Sequence, residues 1–421
     1  MTTITRADCE ARDRADPLAS FRERFALPEG IVYLDGNSLG ALPKAAALRV
    51  KHAVEREWGA DLIKSWNVHR WIDLPQRAGA KIARLVGAKA SEVIVADSTS
   101  VNLFKMLAAA LRMRPGRRVI LSEPGNFPTD LYVAQGLIEM LGDRPGGKLE
   151  LKLVPGEQIV GALDDAALGA DVAVVSLTHV NYKSGRIHDM AAVTAKAHAA
   201  GALMLWDLAH SAGALPVDLG AAKADFAVGC GYKYLNGGPG APAFLFVAER
   251  HQAAIRPPLA GWMGHAHPFT FDVGYEPAPG IARNLCGTPP VLSMSALDAA
   301  LDVMLEADMG ALRAKSLALG DLFLALVEQR CAAHGFRNGS AARHERGSQV
   351  GLLHPEGYAI MQALIARGVI GDFRAPDMLR FGFAPLYNRY AEVWDAVDAL
   401  ASVMDTRAWD TPQFKARAAV T

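Results

Sequence analysis

The chain has 421 residues, of which 51% are apolar, and its 44 basic and 44 acidic side chains cancel to a formal charge of zero. This balance argues against nucleic acid as a partner, and no uninterrupted apolar run reaches the roughly 18 residues that a membrane span needs. The amino-terminal stretch lacks the apolar core of a secretory signal, and the four cysteines have no paired or metal-ligand spacing. We therefore expect a cytoplasmic protein with reduced thiols, whose partners are small molecules or another copy of itself.

The first 75 residues predict two helices and one strand. Residues 16–25 predict a short amphipathic helix, and the sequence IVYLDGNSLG, which begins at residue 31, predicts a strand that enters a turn at residues 35–40. Pro43 is placed to start a helix that continues to about residue 58. The aromatic-rich stretch at residues 60–75 could line a pocket or pack in the core.

Between residues 92 and 245, apolar segments alternate with helical ones. This pattern is typical of an α/β fold with a largely parallel sheet, helices on both faces, and ligands bound at the carboxyl ends of the strands. Helices are predicted at residues 100–113, 129–141 and 188–200. Strands are predicted at residues 93–96, 118–122, 151–154, 171–177, 202–207, 226–229 and 242–247.

After residue 290 the pattern changes to a long helical stretch at 291–334, followed by strands at 349–353 and 379–384 and helices at 356–367 and 388–404. This predicts a small α/β domain. We expect three parts in all: a segment over residues 1–60 that packs with the small domain, a large domain over 61–294, and the small domain over 295–421.

Several predicted strands end in side chains that packing alone does not require. After the first strand, Thr99 and Ser100 open a helix whose hydroxyls and free N–H groups could hold a phosphate. Simple N-capping by Ser98 or Thr99 would explain the same residues. After the second strand, Phe127 could stack on a flat ring or form a hydrophobic contact of the helix that Pro128 begins.

Asp207 follows five apolar residues directly, and a carboxylate buried there is costly unless a cation meets it. A protonated pyridine nitrogen is such a cation; otherwise Asp207 caps the next turn, and His210 is an ordinary core histidine. Lys233 follows the next strand, where burial would favour a nucleophilic amine, although alone it could be a solvated loop lysine. A phosphate-type helix start, an aromatic plate, an aspartate and a lysine together are what pyridoxal phosphate requires.

With these residues the chain resembles the fold-type-I pyridoxal-phosphate enzymes and, within them, the kynureninase family. The most specific matching segment is GYKYLNGGPG at 231–240, because related aminotransferases and desulfurases usually have a histidine where this chain has Tyr232. The other matching segments are DGNSLG (35–40), STSVN (98–102), FPTD (127–130), WDLAHSAG (206–213), GWMGH (261–265), GTPP (287–290) and LRFGFAPLYN (379–388).

The resemblance implies a pyridoxal 5'-phosphate site in which Lys233 carries the cofactor, Asp207 pairs with its ring nitrogen and Phe127 stacks on its ring. It also implies a homodimer with the active site at the subunit interface, where Trp262 and Thr288 reach the phosphate of the other copy. The remaining cofactor-binding residues implied are Thr99, Ser100, Asp130, Thr178, His210 and Tyr232.

For the substrate, the resemblance implies that Arg380 grips the α-carboxylate through a bidentate pair, while Trp66 and Gly287 shape the pocket for the aryl ring. The implied reaction is hydrolysis of the Cβ–Cγ bond of kynurenine to anthranilate and alanine, in tryptophan catabolism and NAD biosynthesis. Lys233 would act as the base, and Tyr232 would be an acid/base or only a phosphate ligand. Thr288 would favour kynurenine over its 3-hydroxy form.

Three alternatives stay open, of which a purely structural oligomer is the remotest. An aminotransferase or a cysteine desulfurase of the same fold would share the cofactor residues, and a desulfurase would need a reactive loop cysteine, for which Cys286 is the candidate. A cofactor-binding protein without catalysis is the second alternative, although the presence of Lys233, Asp207, Tyr232 and Arg380 together favours an enzyme.

Overall fold

The computed structural model describes residues 3–144 and 147–417, and its centre is a seven-stranded sheet. The five strands toward one edge pair in parallel, whereas Phe244–Val247 runs antiparallel to both of its neighbours. The expected mainly parallel sheet is thus confirmed, with strand ends shifted by one or two residues. From edge to edge the strands are Val93–Val95, Phe244–Val247, Phe226–Gly229, Leu203–Asp207, Val172–Thr178, Val119–Ser122 and Glu150–Leu153.

The central strands are mostly apolar because both faces of the sheet are covered. Along Leu203–Asp207, Met204 and Trp206 face one core, and Leu203 and Leu205 face the other. The helices Thr99–Met113 and Pro128–Leu141 cover the second face. The first face is covered by Leu74–Leu85, Met190–Ala199 and Val291–Leu305.

The chain after residue 308 contains a four-stranded antiparallel sheet. In spatial order its strands are Arg337–Asn338, Gln349–Leu353, Met378–Gly382 and Asp372–Arg374, and its helices are Met309–Cys331, Gly357–Ile365 and Tyr390–Asp405. Phe323 packs against Phe381 in its core, with ring centroids 4.6 Å apart. The long helical stretch expected at 291–334 is divided by Asp308, whose carboxylate accepts a hydrogen bond from the N–H of Ala311 and caps the second helix.

The amino-terminal prediction was wrong in one respect, because the helix expected at residues 16–25 is only a 3₁₀ turn over Ala19–Arg24. The Asp16 side chain accepts a hydrogen bond from the Leu18 N–H, and such a turn competes with a regular helix. An α-helix forms instead over Arg6–Arg14, with Thr5 as its N-cap. That helix buries little apolar surface, so its sequence carries no clear periodicity.

The expected helix after Pro43 is present, but it changes its winding along its length. It is α-helical over Lys44–His52 and continues as a wider π-helix over Ala53–Asp61. The remaining short elements are strands Phe25–Ala26, Val32–Tyr33, Leu42–Pro43, Asp143–Arg144, Gly147–Lys148 and Val369–Ile370, and helices Ser65–Val68, Ile159–Ala162, Ala166–Asp171, Glu249–Gln252 and Pro412–Lys415.

The first 60 residues contact both larger parts of the molecule. Val32–Tyr33 pairs in parallel with Val369–Ile370, and Arg6–Arg14 packs against Tyr390–Asp405. Lys44–His52 packs instead against Val291–Leu305. The division at residues 60 and 294 stays a prediction, and its outermost residues lie outside the described chain. No helix in the described residues is long and apolar enough to cross a membrane.

Candidate active site

A cavity of about 130 Å³ lies where several of the parallel strands end. Asp207 is the last residue of its strand, and Lys233 follows the neighbouring strand Phe226–Gly229 by four residues. This is the edge at which α/β sheets bind ligands. The expected cofactor residues that line the cavity are Thr99, Ser100, Phe127, Asp130, Asp207, His210, Tyr232 and Lys233.

One end of the cavity is the start of the helix Thr99–Met113. Ser98 is the N-cap, and its hydroxyl accepts a hydrogen bond from the Val101 N–H at 3.3 Å. Thr99 Oγ1 is buried and has no hydrogen-bond partner among the described residues. The N–H groups of Thr99 and Ser100 have no acceptor within their own helix. Capping and anion binding are therefore compatible here, because they use different side chains.

A buried cation lies under this helix start. Lys105 is fully buried; its ammonium group pairs with Asp97 and donates to the Asn284 carbonyl at 2.7 Å. Asp97 adopts a left-handed backbone conformation, with φ of 49°. The pair therefore fixes the turn that leads into Thr99. Sequence reasoning missed Lys105, although a lone lysine inside LFKMLAAAL was a usable signal.

Two carboxylates face the middle of the cavity. Asp207 is 4% exposed, and burial raises its pKa while nearby Lys233 opposes the shift. The pKa of Asp130 is raised well above its ordinary value, mainly by burial and secondly by the charge of the nearby Asp207. The Thr178 hydroxyl lies 3.5 Å from Asp130, and its backbone N–H donates to the Asn126 side chain at 3.0 Å. Sequence reasoning also missed Asn126, which holds Thr178 in place.

Lys233 is surrounded by rings. Its nitrogen lies 3.4 Å from Nε2 of His210 and 5.8 Å from the ring centroids of both Phe127 and Tyr232. The pKa of His210 is lowered well below its ordinary value, mainly by burial and secondly by the nearby Lys233. Burial, with Cys230 and Asp207, raises the pKa of Tyr232, so its phenol stays protonated at neutral pH.

The amino-terminal segment contacts the lysine loop through Gly40. The Gly40 N–H donates to the Tyr232 carbonyl at 2.8 Å. A Cβ at this position would overlap the Lys233 carbonyl oxygen and Asn236. Only glycine allows the two backbones to approach so closely.

Arg380 lies beside the cavity rather than in its lining. It is 1% exposed. Its Nε donates to Oδ1 of Asp372 at 2.8 Å, and its Nη2 donates to Oδ2 of the same residue. Its Nη1 donates to the Tyr182 carbonyl at 2.6 Å and its Nη2 to Ser38 Oγ at 2.9 Å. The Tyr182 ring packs edge-on against Phe127, with centroids 5.2 Å apart. Tyr182 therefore connects Arg380 to the cavity.

Three other expected site residues are found together but apart from Lys233. Trp66, Trp262 and Thr288 line a cavity of about 550 Å³ that shares no lining residue with the first. Gly287 is exposed and adjoins Thr288. The remaining lining residues are Ile63, Asn67, Ile72 and Phe269, of which Ile63, Asn67 and Phe269 are exposed.

Comparison with known proteins places the chain in one family. A kynureninase of Burkholderia mallei (strain SAVP1) is 56% identical over 423 residues, which cover 99% of this chain and 100% of the relative. The chain belongs to the kynureninase family. A kynureninase of Pseudomonas fluorescens is 54% identical over 422 residues with the same coverage, and the model of the kynureninase C-terminal domain matches residues 312–400.

Solved structures confirm the fold-type-I architecture for this kynureninase family member. A cysteine desulfurase from Thermococcus onnurineus NA1 has a TM-score of 0.73 at 19% identity, covering 96% of this chain and 100% of its own. A C-DES mutant with glycine covalently linked to its pyridoxal-phosphate cofactor has a TM-score of 0.75 at 18% identity, covering 90% and 98%. These identities support the fold alone. Cys286, the candidate desulfurase cysteine, does not line the Lys233 cavity.

Proposed function

We propose that this chain is a pyridoxal-phosphate-dependent hydrolase that cleaves L-kynurenine to anthranilate and L-alanine, and also accepts 3-hydroxykynurenine. The observation that carries the proposal is the strand-end cavity in which Lys233, Asp207 and Thr99 meet, in a chain that belongs to the kynureninase family. The same activity would serve tryptophan catabolism and NAD biosynthesis in the cytoplasm.

The residues present fit pyridoxal phosphate. The buried Thr99 hydroxyl without a partner, Ser100 and the free helix N–H groups suit a phosphate. The buried Asp207 carboxylate suits a protonated ring nitrogen, because a cation there would offset the cost of its burial. Phe127 would face the ring, with Asp130, Thr178 and His210 in supporting contacts. When bound, the cofactor supplies a sink for the electron pair released at the substrate's α-carbon.

The chain's own groups would handle the protons. The Lys233 amine is the base that takes the α-proton of the substrate. Tyr232 keeps its phenolic proton at neutral pH because of its raised pKa, and its ring lies beside Lys233. It is therefore suited to donate a proton to the departing carbon when water has added to the γ-ketone. Contact with the phosphate is a second, compatible role for Tyr232.

Arg380 would bind the substrate carboxylate from beside the cavity. Its guanidinium group is held by Asp372 and Tyr182, so it is oriented without a ligand. A bidentate grip requires two free N–H groups, and Ser38 occupies one of those on Nη2. We therefore expect the carboxylate to displace the Ser38 hydroxyl when it binds.

We further propose that the active site forms between the two copies of a homodimer. Trp66, Trp262, Gly287 and Thr288 carry the expected aryl-ring and phosphate contacts, yet they lie away from Lys233 within one copy. A second copy would bring them to the cavity. The exposed apolar side chains around them, Ile63, Phe269, Phe271 and Val273, favour a buried interface.

The decisive experiment supplies the purified protein with pyridoxal phosphate and L-kynurenine, without a keto acid. We expect equal amounts of anthranilate and alanine. Failure to form anthranilate would contradict the proposal, and transfer of the amino group to an added keto acid would favour an aminotransferase. Sulfur release from L-cysteine that Cys286→Ser abolishes would favour a desulfurase.

A further inference from the structure

A buried glutamate close to Trp66 has no role in the chemistry described so far. Glu57 is 3% exposed and lies within the π-helix Ala53–Asp61. Wide helical turns of this kind are uncommon and occur often at functional sites. The next residue after this helix, Leu62, has a φ of 51°, which is unusual for a branched side chain. The backbone is therefore strained at Leu62, between Glu57 and Trp66.

The Glu57 carboxylate binds three neighbouring side chains. The Trp71 indole Nε1 donates to its Oε2 at 2.7 Å, Arg49 pairs with its Oε1 at 2.8 Å, and His52 Nδ1 lies 3.1 Å from Oε1. Burial acts to raise the pKa of Glu57, but the hydrogen bonds from Trp71 and Arg49 outweigh it and lower the pKa. The carboxylate is thus ionised, and its bond to Trp71 is charge-assisted.

Two connections lead from Glu57 to Trp66. The Trp71 ring packs edge-to-face against the Trp66 ring, with centroids 5.9 Å apart and an interplanar angle of 80°. The hydroxyl of Ser65, the residue before Trp66, donates to the Glu57 carbonyl at 2.6 Å. Trp66 is therefore held through its ring and through its backbone neighbour. Trp66 also lines the cavity of about 550 Å³, together with Trp262 and Thr288.

We propose that Glu57 is a positioning residue that fixes the orientation of Trp66 and thereby sets the affinity of the site for the aryl ring of the substrate. The inference rests on the proposed function, because that function supplies the aryl group. The carboxylate acts through Trp71 and does not contact the substrate. A misoriented Trp66 would weaken contacts with the aryl ring and leave those with the amino-acid end unchanged.

The test compares binding of the two products, one of which carries the aryl ring. Cofactor-loaded wild type, Glu57→Gln and Trp71→Phe are titrated with anthranilate and with L-alanine by equilibrium dialysis. We expect anthranilate to bind about tenfold more weakly to both variants, the loss typical of one hydrogen bond to a charged group, and L-alanine to bind as before. For L-kynurenine, KM should rise while kcat changes little.

The matched control is Glu392→Gln, which also alters a buried, arginine-paired glutamate. Glu392 is 4% exposed and lies 2.6 Å from Arg22, far along the chain from both cavities. This variant should bind both products as wild type does. Trp71→Phe removes the indole N–H donor, keeps a smaller aromatic ring at this position and leaves Glu57 in place, so it carries the test if Glu57→Gln fails to fold.

Two outcomes would overturn the inference. Unchanged anthranilate affinity in Trp71→Phe and Glu57→Gln would reduce Glu57 to a structural residue, and equal weakening of anthranilate and alanine would mean a general collapse of the site. Failure of the proposed function is distinguishable, because wild type would then produce no anthranilate from kynurenine.

Discussion

The side-chain nitrogen of Lys233 lies 3.4 Å from Nε2 of His210. Because burial and the nearby lysine lower the pKa of His210 well below its ordinary value, the imidazole is neutral and can accept a hydrogen bond from the amine. The ring centroids of Phe127 and Tyr232 each lie 5.8 Å from the same nitrogen. The amine is therefore oriented by the protein alone, before a ligand arrives.

Replacing Lys233 should abolish covalent attachment of the cofactor without disrupting the fold. We expect Lys233→Ala to lose both turnover and the visible absorption of an amine-linked cofactor, because no other amine lines the cavity within the described residues. Absorption spectra after incubation with pyridoxal phosphate provide the measurement. Lys196→Ala, which removes an ion pair with Asp164 on the surface, is the control and should keep both properties. Full activity in Lys233→Ala would refute the assignment.

The substitution Arg380→Lys should impair the enzyme even though lysine keeps the positive charge. Lysine cannot reproduce the two parallel bonds that the guanidinium makes with Asp372, so Arg380→Lys would leave a buried carboxylate poorly paired. We expect KM for kynurenine to rise about 10- to 100-fold, with a smaller change in kcat. Steady-state kinetics test this, with Arg22→Lys as the control for an arginine paired with Glu392. An unchanged KM would contradict the role of Arg380.

Asp35 should make the protein less stable as pH rises toward neutrality. Burial and the neighbouring Asp372 raise the pKa of Asp35 from 3.8 to about 7. The native state then holds a proton that the unfolded state has released, so stability falls between pH 4 and 7 and levels off above. Asp35→Asn mimics the neutral form and should lose less stability over this window. The difference should reach a few kcal/mol at pH 8, at about 1.4 kcal/mol per pKa unit.

Urea unfolding at several pH values measures this difference. Equal stability of Asp35→Asn and wild type at every pH would mean that Asp35 ionises normally.

Asp225 should have the opposite effect to Asp35, because its contribution to stability should be lost as pH falls. Burial acts to raise its pKa, but hydrogen bonds from His251 and His198 outweigh this and lower the pKa to about 2. Its stabilising effect is complete above about pH 4 and is lost as pH falls toward 2. At pH 7, Asp225→Asn should cost about 3–5 kcal/mol, since Arg250 would lose its buried partner.

The control for Asp225 is Asp302→Asn, which weakens an exposed pair with Lys81 and should cost at most about 1 kcal/mol. Thermal unfolding at pH 7 and pH 3 compares the variants. A cost that stays constant between the two pH values would show that the charge of Asp225 is not what stabilises the fold.

The sequence predicted the sheet and most of the cavity because their signals are local. Strands buried on both faces are continuous apolar runs, and Asp207 and Lys233 interrupt that pattern where two strands end. The strand ends of a parallel sheet converge, so residues far apart in sequence line one cavity.

The supporting contacts could not be predicted because they arise from tertiary packing. Tyr182 and Arg380 are separated by 198 positions, and nothing in either segment indicates that a backbone carbonyl meets a guanidinium. Asp372 is similar, since its sequence context is that of an ordinary strand-end carboxylate. The helix Arg6–Arg14 was missed because capping and ion pairs stabilise it more than an apolar face does.

The pairing of Val32–Tyr33 with Val369–Ile370 restricts the order in which parts of this chain can fold during translation. Val32–Tyr33 is synthesised before the seven-stranded sheet, whereas its partner Val369–Ile370 is synthesised only after that sheet. The seven-stranded sheet can form in the interval, since all its strands lie between residues 93 and 247. The contact of Ser38 with Arg380 must wait until residue 380 has left the ribosome. A nascent chain interrupted before residue 380 would contain the lysine loop and lack the arginine beside it.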